Sequence, residues 1–321
     1  ISASLSDFVG VMRGCNNYCS YCIVPFTTGR ERSFVMSKIL ERIKHDVEAG
    51  AKEVTLLGQN VDSYKCPETG VRFSTLLEKV GQIDGEFWVR FVSPHPKDMT
   101  MDVLDVMAAN KEKLCSYIHL PLQSGSNKIL DLMCRTYTIE KYLEQVAAIR
   151  ERLPYAAIST DFIVGFPGET EEDYLATRRV MEEVRFNMIY SFIYSPRKYT
   201  KAAQMIDSCS HEIKQRRLAE LQARHREIGT ERNREFIGKT VRVLIEERVS
   251  REGLLATRSF SEGWLGRTAG NIRVRVSGDN LDVNKFVNVL IEKAGISQIE
   301  GSVLQDCKHS GDGVELKNMA A

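Results

Sequence analysis

Three cysteines lie close together near the amino terminus of this chain. Cys15, Cys19 and Cys22 follow the spacing C-x3-C-x2-C. Three thiolates this close in sequence can sit on one short loop and hold three corners of a 4Fe–4S cube, whereas a self-sufficient cluster needs four cysteines. The fourth iron would stay open, and an open position allows a metal to react with a substrate or cofactor. The spacing therefore predicts a cluster that engages a further molecule.

A structural zinc site is the alternative use of these thiols. Zinc would need a fourth ligand in a closed tetrahedron, and His45 or Cys66 could supply it. Neither belongs to a second C-x2-C pair, which favours the iron–sulfur interpretation. The remaining cysteines are scattered singly, as is typical of ordinary buried or surface thiols. They are Cys66, Cys115, Cys134, Cys209 and Cys307.

The composition is that of an ordinary globular catalyst. The 321 residues are 43% hydrophobic and 27% charged, enough for one large domain and a small one. The sequence has no run of about eighteen apolar residues, so no membrane helix is predicted. A net charge of +1 gives no general attraction to nucleic acid. The chain starts with Ile1, and strand-like sequence begins at Phe8. We therefore expect it to be a piece of a longer protein.

Short apolar runs alternate with amphipathic stretches over the first two thirds of the chain. The predicted strands are Phe8–Met12, Glu53–Leu57, Phe87–Val92, Ser116–Leu120, Ala157–Val164 and Met188–Tyr194. The predicted helices are Lys38–Glu48, Phe73–Val80, Met101–Ala109, Ile139–Arg152 and Glu171–Val184. This alternation indicates a parallel sheet with right-handed crossovers. Six repeats are too few for an eight-stranded barrel, so we expect an α/β fold with a partial (β/α)6 barrel and a site at the carboxyl ends of its strands.

The pattern changes after Ser210. A long helix with seven basic residues is predicted over His211–Glu235. The strands predicted beyond it are short and are punctuated by glycines; they are Thr240–Ile245, Leu254–Thr257, Ile272–Val276, Phe286–Ile291 and Gly301–Leu304. We therefore expect a core over 1–210, a basic linker helix over 211–235, a small all-β barrel over 236–305 and a disordered tail over 306–321.

Three further runs follow predicted strands and carry glycines and amide side chains. They are Leu57–Val61, His119–Ser126 and Thr160–Thr170. Taken singly, each is compatible with a tight strand-to-helix turn, with His119 a core histidine and Asp161 a capping carboxylate. Their shared position at the carboxyl ends of strands favours one pocket.

These runs together resemble the radical S-adenosylmethionine (SAM) enzymes called methylthiotransferases. The matching runs are the cysteine loop with Ile23–Phe26 and Gly29–Ser33, Gly58–Val61, Ser93–Pro96, His119–Ser126, Met133–Thr138, Thr160–Thr170 and Tyr194–Arg197. The barrel resembles that family's RNA-binding TRAM domain through Gly238–Thr240 and Leu265–Asn271. Gln59–Val61 resembles the branch that modifies isopentenyl-adenosine in tRNA, and Ser93–Pro96 resembles its eukaryotic, mitochondrial members.

The resemblance implies an enzyme that adds a methylthio group to C2 of isopentenyl-adenosine next to the anticodon of tRNA. Its cofactors would be SAM and one 4Fe–4S cluster, the latter held by Cys15, Cys19 and Cys22. The open iron would chelate SAM, and one electron would release a 5′-deoxyadenosyl radical that takes the C2 hydrogen. Residues on the same rim are candidates for holding SAM, and no catalytic residue is assigned. These candidates are Gly58, Gln59, Gln123, Ser124 and Arg135.

The implied partners are tRNA and an electron donor such as a flavodoxin or ferredoxin. The resemblance implies a monomer away from membranes, mitochondrial in a eukaryote or cytoplasmic in a bacterium. Basic residues of the linker helix and barrel suit phosphates and stacked bases, although interleaved acidic residues also fit a solvated surface. In the barrel these are Arg258, Arg267, Arg273 and Arg275, near Phe260 and Trp264.

Two departures from the family pattern affect the expected activity. Family members usually carry an amino-terminal domain whose three further cysteines hold a second 4Fe–4S cluster implicated in sulfur delivery, and this sequence does not include it. We therefore expect the 321-residue chain alone to cleave SAM without transferring sulfur. The second departure is local, because Thr28 replaces a usual Arg, and Lys198–Tyr199 replaces a usual Pro-Gly.

Three classes of function stay open at this point. The first is the tRNA methylthiotransferase already described. The second is a related radical enzyme that acts on threonylcarbamoyl-adenosine in tRNA or on a ribosomal-protein side chain. The third is a non-catalytic RNA-binding protein with a structural metal. The iron-to-protein ratio and the visible spectrum after anaerobic reconstitution separate the third from the others.

The three-ligand interpretation predicts a sharp difference between the cysteines. Cys19→Ala should abolish both the 4Fe–4S absorbance and the cleavage of SAM, because two thiolates cannot hold the cube. The same substitution at each scattered cysteine should leave both nearly intact. Loss of the cluster in a Cys66→Ala variant would show that the ligand set is wrong.

Overall fold

The computed structural model describes residues 6–249, 263–278 and 281–304. The predicted strand Leu254–Thr257, the candidate RNA contacts Arg258 and Phe260, Cys307 and the tail over 306–321 lie outside the described residues. In the part of the chain that is described, no helix is both long and apolar enough to cross a membrane.

Strands and helices alternate from Ser6 to Arg234. The strands are β1 (Ser6–Gly10), β2 (Met12–Arg13), β3 (Arg32–Ser33), β4 (Glu53–Leu57), β5 (Trp88–Phe91), β6 (Tyr117–His119), β7 (Ala157–Val164) and β8 (Met188–Ile193). The helices are α1 (Val24–Thr27), α2 (Met36–Glu48), α3 (Phe73–Gly81), α4 (Met101–Ala109), α5 (Asn127–Leu132), α6 (Ile139–Arg152), α7 (Glu171–Val184) and α8 (His211–Arg234). Short 3-10 helices span Val61–Ser63 and Ala202–Gln204.

Six of these strands form a parallel sheet that is open on one side. β1, β4 and β5 pair in that order, and so do β6, β7 and β8. A parallel bridge between Val89 and Leu114 joins the two halves. Within the described residues, β1 and β8 are therefore the free edges, and the predicted partial (β/α)6 barrel is confirmed.

The first strand lies two residues earlier in the chain than predicted, at Ser6–Gly10. It ends at Gly10 rather than Met12, and Met12–Arg13 pairs instead with Arg32–Ser33 in a separate two-stranded ribbon. The Val11 N–H still donates to the carbonyl oxygen of Leu57, at 2.8 Å. The chain then leaves the sheet, and this departure begins the cysteine loop.

Helices such as α2 and α3 pack against the sheet and bury one apolar stripe each. Ile39 and Ile43 of α2 and Leu76 of α3 lie in the same core as Leu56 of β4 and Phe162 of β7. Each such fully buried side chain contributes about 1.5–3 kcal/mol to the free energy of unfolding through the hydrophobic effect. The apolar period thus fixes which helix face turns inward.

A second, smaller unit follows α8. Its strands are β9 (Thr240–Val249), β10 (Gly263–Thr268), β11 (Arg273–Ser277), β12 (Phe286–Ala294) and β13 (Ile299–Val303). They close into a barrel in the order β10-β11-β13-β12-β9. Its interior is filled by branched aliphatic side chains such as Val243, Val274 and Ile291. The predicted all-β barrel at the carboxyl terminus is confirmed.

Strand β10 was not among the predicted strands, because its glycines were interpreted as turns. Gly266 instead lies inside β10, where a Cβ atom would overlap the carbonyl oxygen of Leu244 on β9. This close approach of two backbones requires glycine within a strand.

The barrel packs against the amino-terminal end of the parallel strands. Glu53 begins β4, and its carboxylate accepts a hydrogen bond from Arg90 Nε at 2.6 Å. Arg90 also donates to the carbonyl oxygens of Thr268 and Ala269, at 2.8 Å each. Both charged side chains are almost fully buried, at 5% and 3% exposed. The barrel therefore covers one end of the open sheet and leaves the carboxyl ends of the strands to the cysteine loop.

Removing Arg90 should destabilise this junction strongly. Arg90→Ala leaves the Glu53 carboxylate buried without its main partner, so the free energy of unfolding should fall by about 3–5 kcal/mol. Lys38→Ala is the control, because it breaks the exposed Lys38–Glu41 pair and should cost less than about 1 kcal/mol. Chemical denaturation measures both, and similar losses would show that the buried pair does not hold the two units together.

Candidate functional site

The cysteine loop is fixed at its start by the loop that follows β4. The Gly14 N–H donates to Gln59 Oε1 at 2.5 Å, and the Cys15 N–H donates to the Gly29 carbonyl at 3.3 Å. Gly14 has a positive φ of 78°, and a Cβ there would overlap the carbonyl oxygen of Arg30. Gln59, one of the predicted site residues, thus holds the backbone next to the first cysteine.

The other end of the loop is held by segments from the second half of the sheet. The Ser20 N–H donates to the Met133 carbonyl at 2.9 Å, and its hydroxyl donates to the Leu132 carbonyl at 2.7 Å. The Ser20 carbonyl accepts from the Ala202 N–H at 2.8 Å. The cysteine loop therefore lies between both halves of the partial barrel.

Arg135 connects the loop to the strand ends. Its guanidinium lies 3.4 Å from Cys19 Sγ, donates to Tyr137 Oη at 2.8 Å and donates to the Pro121 carbonyl at 2.8 Å. The ring of His95 lies 5.6 Å from that of Tyr137. Burial, and then the charge of Arg135, lower the pKa of His95 to about 2. Arg135 thus places a cation beside the thiol of Cys19.

The donor set fits an iron–sulfur cube better than a zinc ion. Burial raises the pKa of Cys15 and Cys22, so thiolates here need a bound cation, which either iron or zinc would supply. Among the described residues, no three His, Cys, Asp or Glu side chains surround a point that could hold a single ion. His45, a potential fourth zinc ligand, is exposed and lies beside Asp46, while Cys66 accepts a hydrogen bond from Thr69. In a cube each thiolate binds a different iron, so the three cysteines of one loop could hold it without surrounding a single point.

Of the amides predicted to meet a ligand, Asn60 uses its Nδ2 within the protein, whereas its Oδ1 is buried without a partner among the described residues. Its Nδ2 donates to Asp98 Oδ2 at 2.7 Å, and the residue is buried. Gly58 lies against Val61 and Met12, with its backbone on the same rim. Gly58 and Gln59 are therefore near the cysteine loop, where Gln59 supports its shape.

Gln123 and Ser124 are adjacent in one turn but have different surroundings. Gln123 has a φ of 77°, and its backbone bridges β7 through Asp161 and Ile163, at 2.8 and 2.9 Å. The Ser124 hydroxyl is fully buried and lies 3.4 Å from Thr177 Oγ1 on α7. Gln123 thus lies at the strand ends, whereas Ser124 contacts a helix. The assignment of both to SAM stays a prediction.

His119 and Asp161 face the interior of the partial barrel and do not lie in the apolar core between the sheet and the helices. His119 Nε2 lies 3.4 Å from Asp161 Oδ1, and Nδ1 lies 2.9 Å from the Ser159 hydroxyl. The Tyr190 ring packs edge-on against His119, with centroids 5.6 Å apart. Alternation along β6, β7 and β8 places these side chains on one wall.

An ion pair that was not predicted holds the loop after β7. The Gly165 N–H donates to Glu169 Oε2 at 2.6 Å, and Arg217 Nη1 lies 2.7 Å from the same oxygen. Both side chains of the pair are almost completely buried. Arg217 belongs to α8, so the helix that leads to the barrel also fixes a loop at the site. The residues lie far apart in sequence, and no local pattern could have paired them.

Five of the seven Lys and Arg residues of α8 form ion pairs with carboxylates among the described residues. The pairs are Arg216 with Glu171 and Glu220, Arg217 with Glu169 and Glu171, Arg224 with Glu182 and Glu227, Arg232 with Glu235, and Lys214 with Asp207. In the barrel, Arg267 is paired with Glu246 and Glu53. Fewer basic side chains are therefore available to bind a partner than the sequence composition of α8 suggested.

The chain is similar in sequence to one protein family and to several curated proteins. Residues 9–181 match the family model of the Radical SAM superfamily. The tRNA-2-methylthio-N(6)-dimethylallyladenosine synthase of Chloroherpeton thalassium is 43% identical over 93% of this chain and 64% of that protein. The protein of the same name from Caldicellulosiruptor saccharolyticus is 45% identical over 94% of this chain and 62% of its own length. This chain thus spans less than two thirds of these curated relatives.

Solved structures share the fold at low sequence identity. Coproporphyrinogen III oxidase from Escherichia coli, a radical SAM enzyme, has a TM-score of 0.51 at 17% identity, over 70% of this chain and 52% of that one. A radical SAM methyltransferase from Kitasatospora setae, with cobalamin and a 4Fe–4S cluster, has a TM-score of 0.51 at 16% identity, over 61% of this chain and 38% of that one. These similarities support the fold alone.

Asp62, in the short 3-10 helix that follows Gly58 and Gln59, should make stability depend on pH. Both its carboxylate oxygens are buried without a partner among the described residues. Burial, and then Asp98 and Asp102, raise its pKa well above the ordinary value. Because the folded pKa lies above the unfolded one, the protein loses stability as pH rises from about 4 through the folded pKa.

Asp62→Asn should remove this loss and raise the free energy of unfolding at pH 7 by about 1–3 kcal/mol, with little gain at pH 4. Denaturant titrations at both pH values measure the difference. Asp105→Asn, at an exposed position, is the matched control. An equal gain at both pH values would contradict the assignment.

Proposed function

This chain belongs to the Radical SAM superfamily, and we propose that it is a methylthiotransferase that acts on C2 of N6-isopentenyl-adenosine in tRNA. Superfamily membership implies a 4Fe–4S cluster and SAM. The reaction and its substrate are the proposal. We also propose the division into a radical SAM core over 1–210, a linker helix over 211–235 and an RNA-binding TRAM barrel over 236–305.

One observation carries the proposal more than any other. Identity of 41–45% to proteins named for this reaction extends over 93–94% of the chain, including the carboxyl-terminal barrel as well as the superfamily region. The chain covers 60–64% of the length of these relatives, so the activity of a whole protein is proposed from the part that matches.

The residues of this chain would divide the work at the site. Cys15, Cys19 and Cys22 would hold the cluster, which when bound supplies the electron for reductive cleavage of SAM. Gln59 fixes the start of the cysteine loop through its bond to Gly14. Arg135, which lies 3.4 Å from Cys19 Sγ, would place a positive charge beside the sulfur ligands.

The partial barrel supports radical chemistry by enclosing it. The carboxyl-terminal barrel covers the amino-terminal end of the strands through Arg90 and Glu53, and the cysteine loop lies at the other end. An adenine would have to leave its stack to reach this interior. The proposed partners are tRNA and an electron donor such as a flavodoxin or ferredoxin.

Cells that lack the gene should accumulate isopentenyl-adenosine in tRNA and lose its 2-methylthio form. Mass spectrometry of tRNA nucleosides measures both, and a gene copy with Cys19→Ala should not restore the modification. Loss of the methylthio group from threonylcarbamoyl-adenosine instead would support the alternative tRNA substrate. Unchanged tRNA together with an altered ribosomal protein would support the other alternative, and no change in either would overturn the proposal.

The isolated 321-residue chain allows a second measurement. After anaerobic reconstitution and reduction it should release 5′-deoxyadenosine from SAM, because the superfamily match includes the whole cysteine loop. Chromatography of the products detects the nucleoside. A reconstituted chain that holds a cluster but releases none would contradict the proposed chemistry.

A further inference from the structure

Strand β8 exposes apolar side chains that a core strand would normally bury. Tyr190 and Phe192 lie two residues apart and therefore share its inward face, and their side chains are 42% and 54% exposed. Tyr190 packs edge-on against His119, which places this face toward the interior of the partial barrel. β8 is a free edge among the described strands, so these rings lie where a molecule could enter from the side.

Two cavities meet at Tyr190 and extend this surface. One, of about 340 Å³, lies between Phe192 and helix α8, where Gln222 and Arg226 line it. The other, of about 460 Å³, runs from Tyr190 toward the barrel, where Asn271 and Arg273 line it. We call the surface formed by Tyr190, Phe192, Gln222, Arg226, Asn271 and Arg273 the β8 groove.

The charge of the β8 groove is positive and uncompensated. Within the described residues, neither Arg226 nor Arg273 has a carboxylate partner, in contrast to the paired arginines of α8 described above. Glu246, which also lines the larger cavity, is neutralised by Arg267 at 2.5 Å. The two arginines are thus left available at a surface that also presents aromatic rings.

We infer that the β8 groove binds single-stranded RNA on its way to the site, with bases stacked on Tyr190 and Phe192 and phosphates held by Arg226 and Arg273. Exposed rings beside unpaired guanidinium groups and amides are the usual means by which proteins hold unstacked bases and a phosphate backbone. An apolar protein partner would leave these two charges without a counterion. The inference rests on the proposed function, since it takes the anticodon arm of tRNA as the RNA.

The test is the affinity of the reconstituted chain for a fluorescent RNA stem-loop, an anticodon arm that contains isopentenyl-adenosine, measured by anisotropy over a range of salt. Phe192→Ala should weaken binding about tenfold because one stacked base is lost, and Phe192→Tyr should not. Arg226→Gln and Arg273→Gln should each reduce the slope of log affinity against log salt by about one. Arg216→Gln, in the same helix but already paired, is the matched control and should leave the slope unchanged.

The outcomes separate this inference from the function on which it rests. If the unaltered chain binds the RNA but Phe192→Ala and Arg226→Gln bind it with the same affinity and slope, the groove assignment is wrong and the tRNA substrate stands. If the unaltered chain binds no RNA, both fail. Thermal unfolding shows whether each variant is folded, and the salt slope of Arg226→Gln decides the matter should Phe192→Ala not fold.

Discussion

The cysteine loop depends on hydrogen bonds from distant parts of the chain, because it has no strand or helix of its own. Gln59 binds its start, and the backbone of Leu132 and Met133 binds Ser20 more than a hundred residues away in sequence. Contacts of such separation cost chain entropy and form only when the whole sheet has closed. The three thiols can therefore reach their arrangement only in the folded partial barrel.

The other end of the barrel meets a different requirement. A carbon radical must be kept from water and from reactive side chains, so an open sheet needs cover. The carboxyl-terminal barrel supplies it through Arg90, which binds Glu53 and the carbonyl oxygens of Thr268 and Ala269. The same barrel borders the β8 groove. One module thus covers the amino-terminal end of the strands and borders the surface that we propose binds RNA.

Local patterns predicted the elements whose ends are marked in the sequence. α6 and α7 were predicted to the residue because Thr138 and Thr170 cap them and an amphipathic period follows each cap. β10 was missed because Gly266 is required there by a close approach to β9 rather than by a turn. Sequence separation explains the rest, since nothing local to α8 reveals that its arginines meet glutamates of α7 and the β7 loop.

The candidate site shows the same division. The spacing of Cys15, Cys19 and Cys22 on one loop could be predicted from sequence alone, as could the position of Gln59 and Arg135 near it. The bond from Gln59 to Gly14 and the burial of Ser124 against Thr177 could not, because the first depends on how two loops pack and the second on how a loop packs against helix α7. The sequence pattern predicts which residues lie at the carboxyl ends of the strands. Tertiary packing decides which of their side chains face the cysteine loop.

The central claim is that three thiolates hold a cube whose fourth iron is open to SAM. Mössbauer spectroscopy of the chain reconstituted with 57Fe tests it most directly. We expect about four irons per chain, of which a single iron changes its isomer shift when SAM is added, because only that iron lacks a cysteine ligand. Four equivalent irons that do not respond to SAM, or a preparation that takes up one zinc and no cluster, would contradict it.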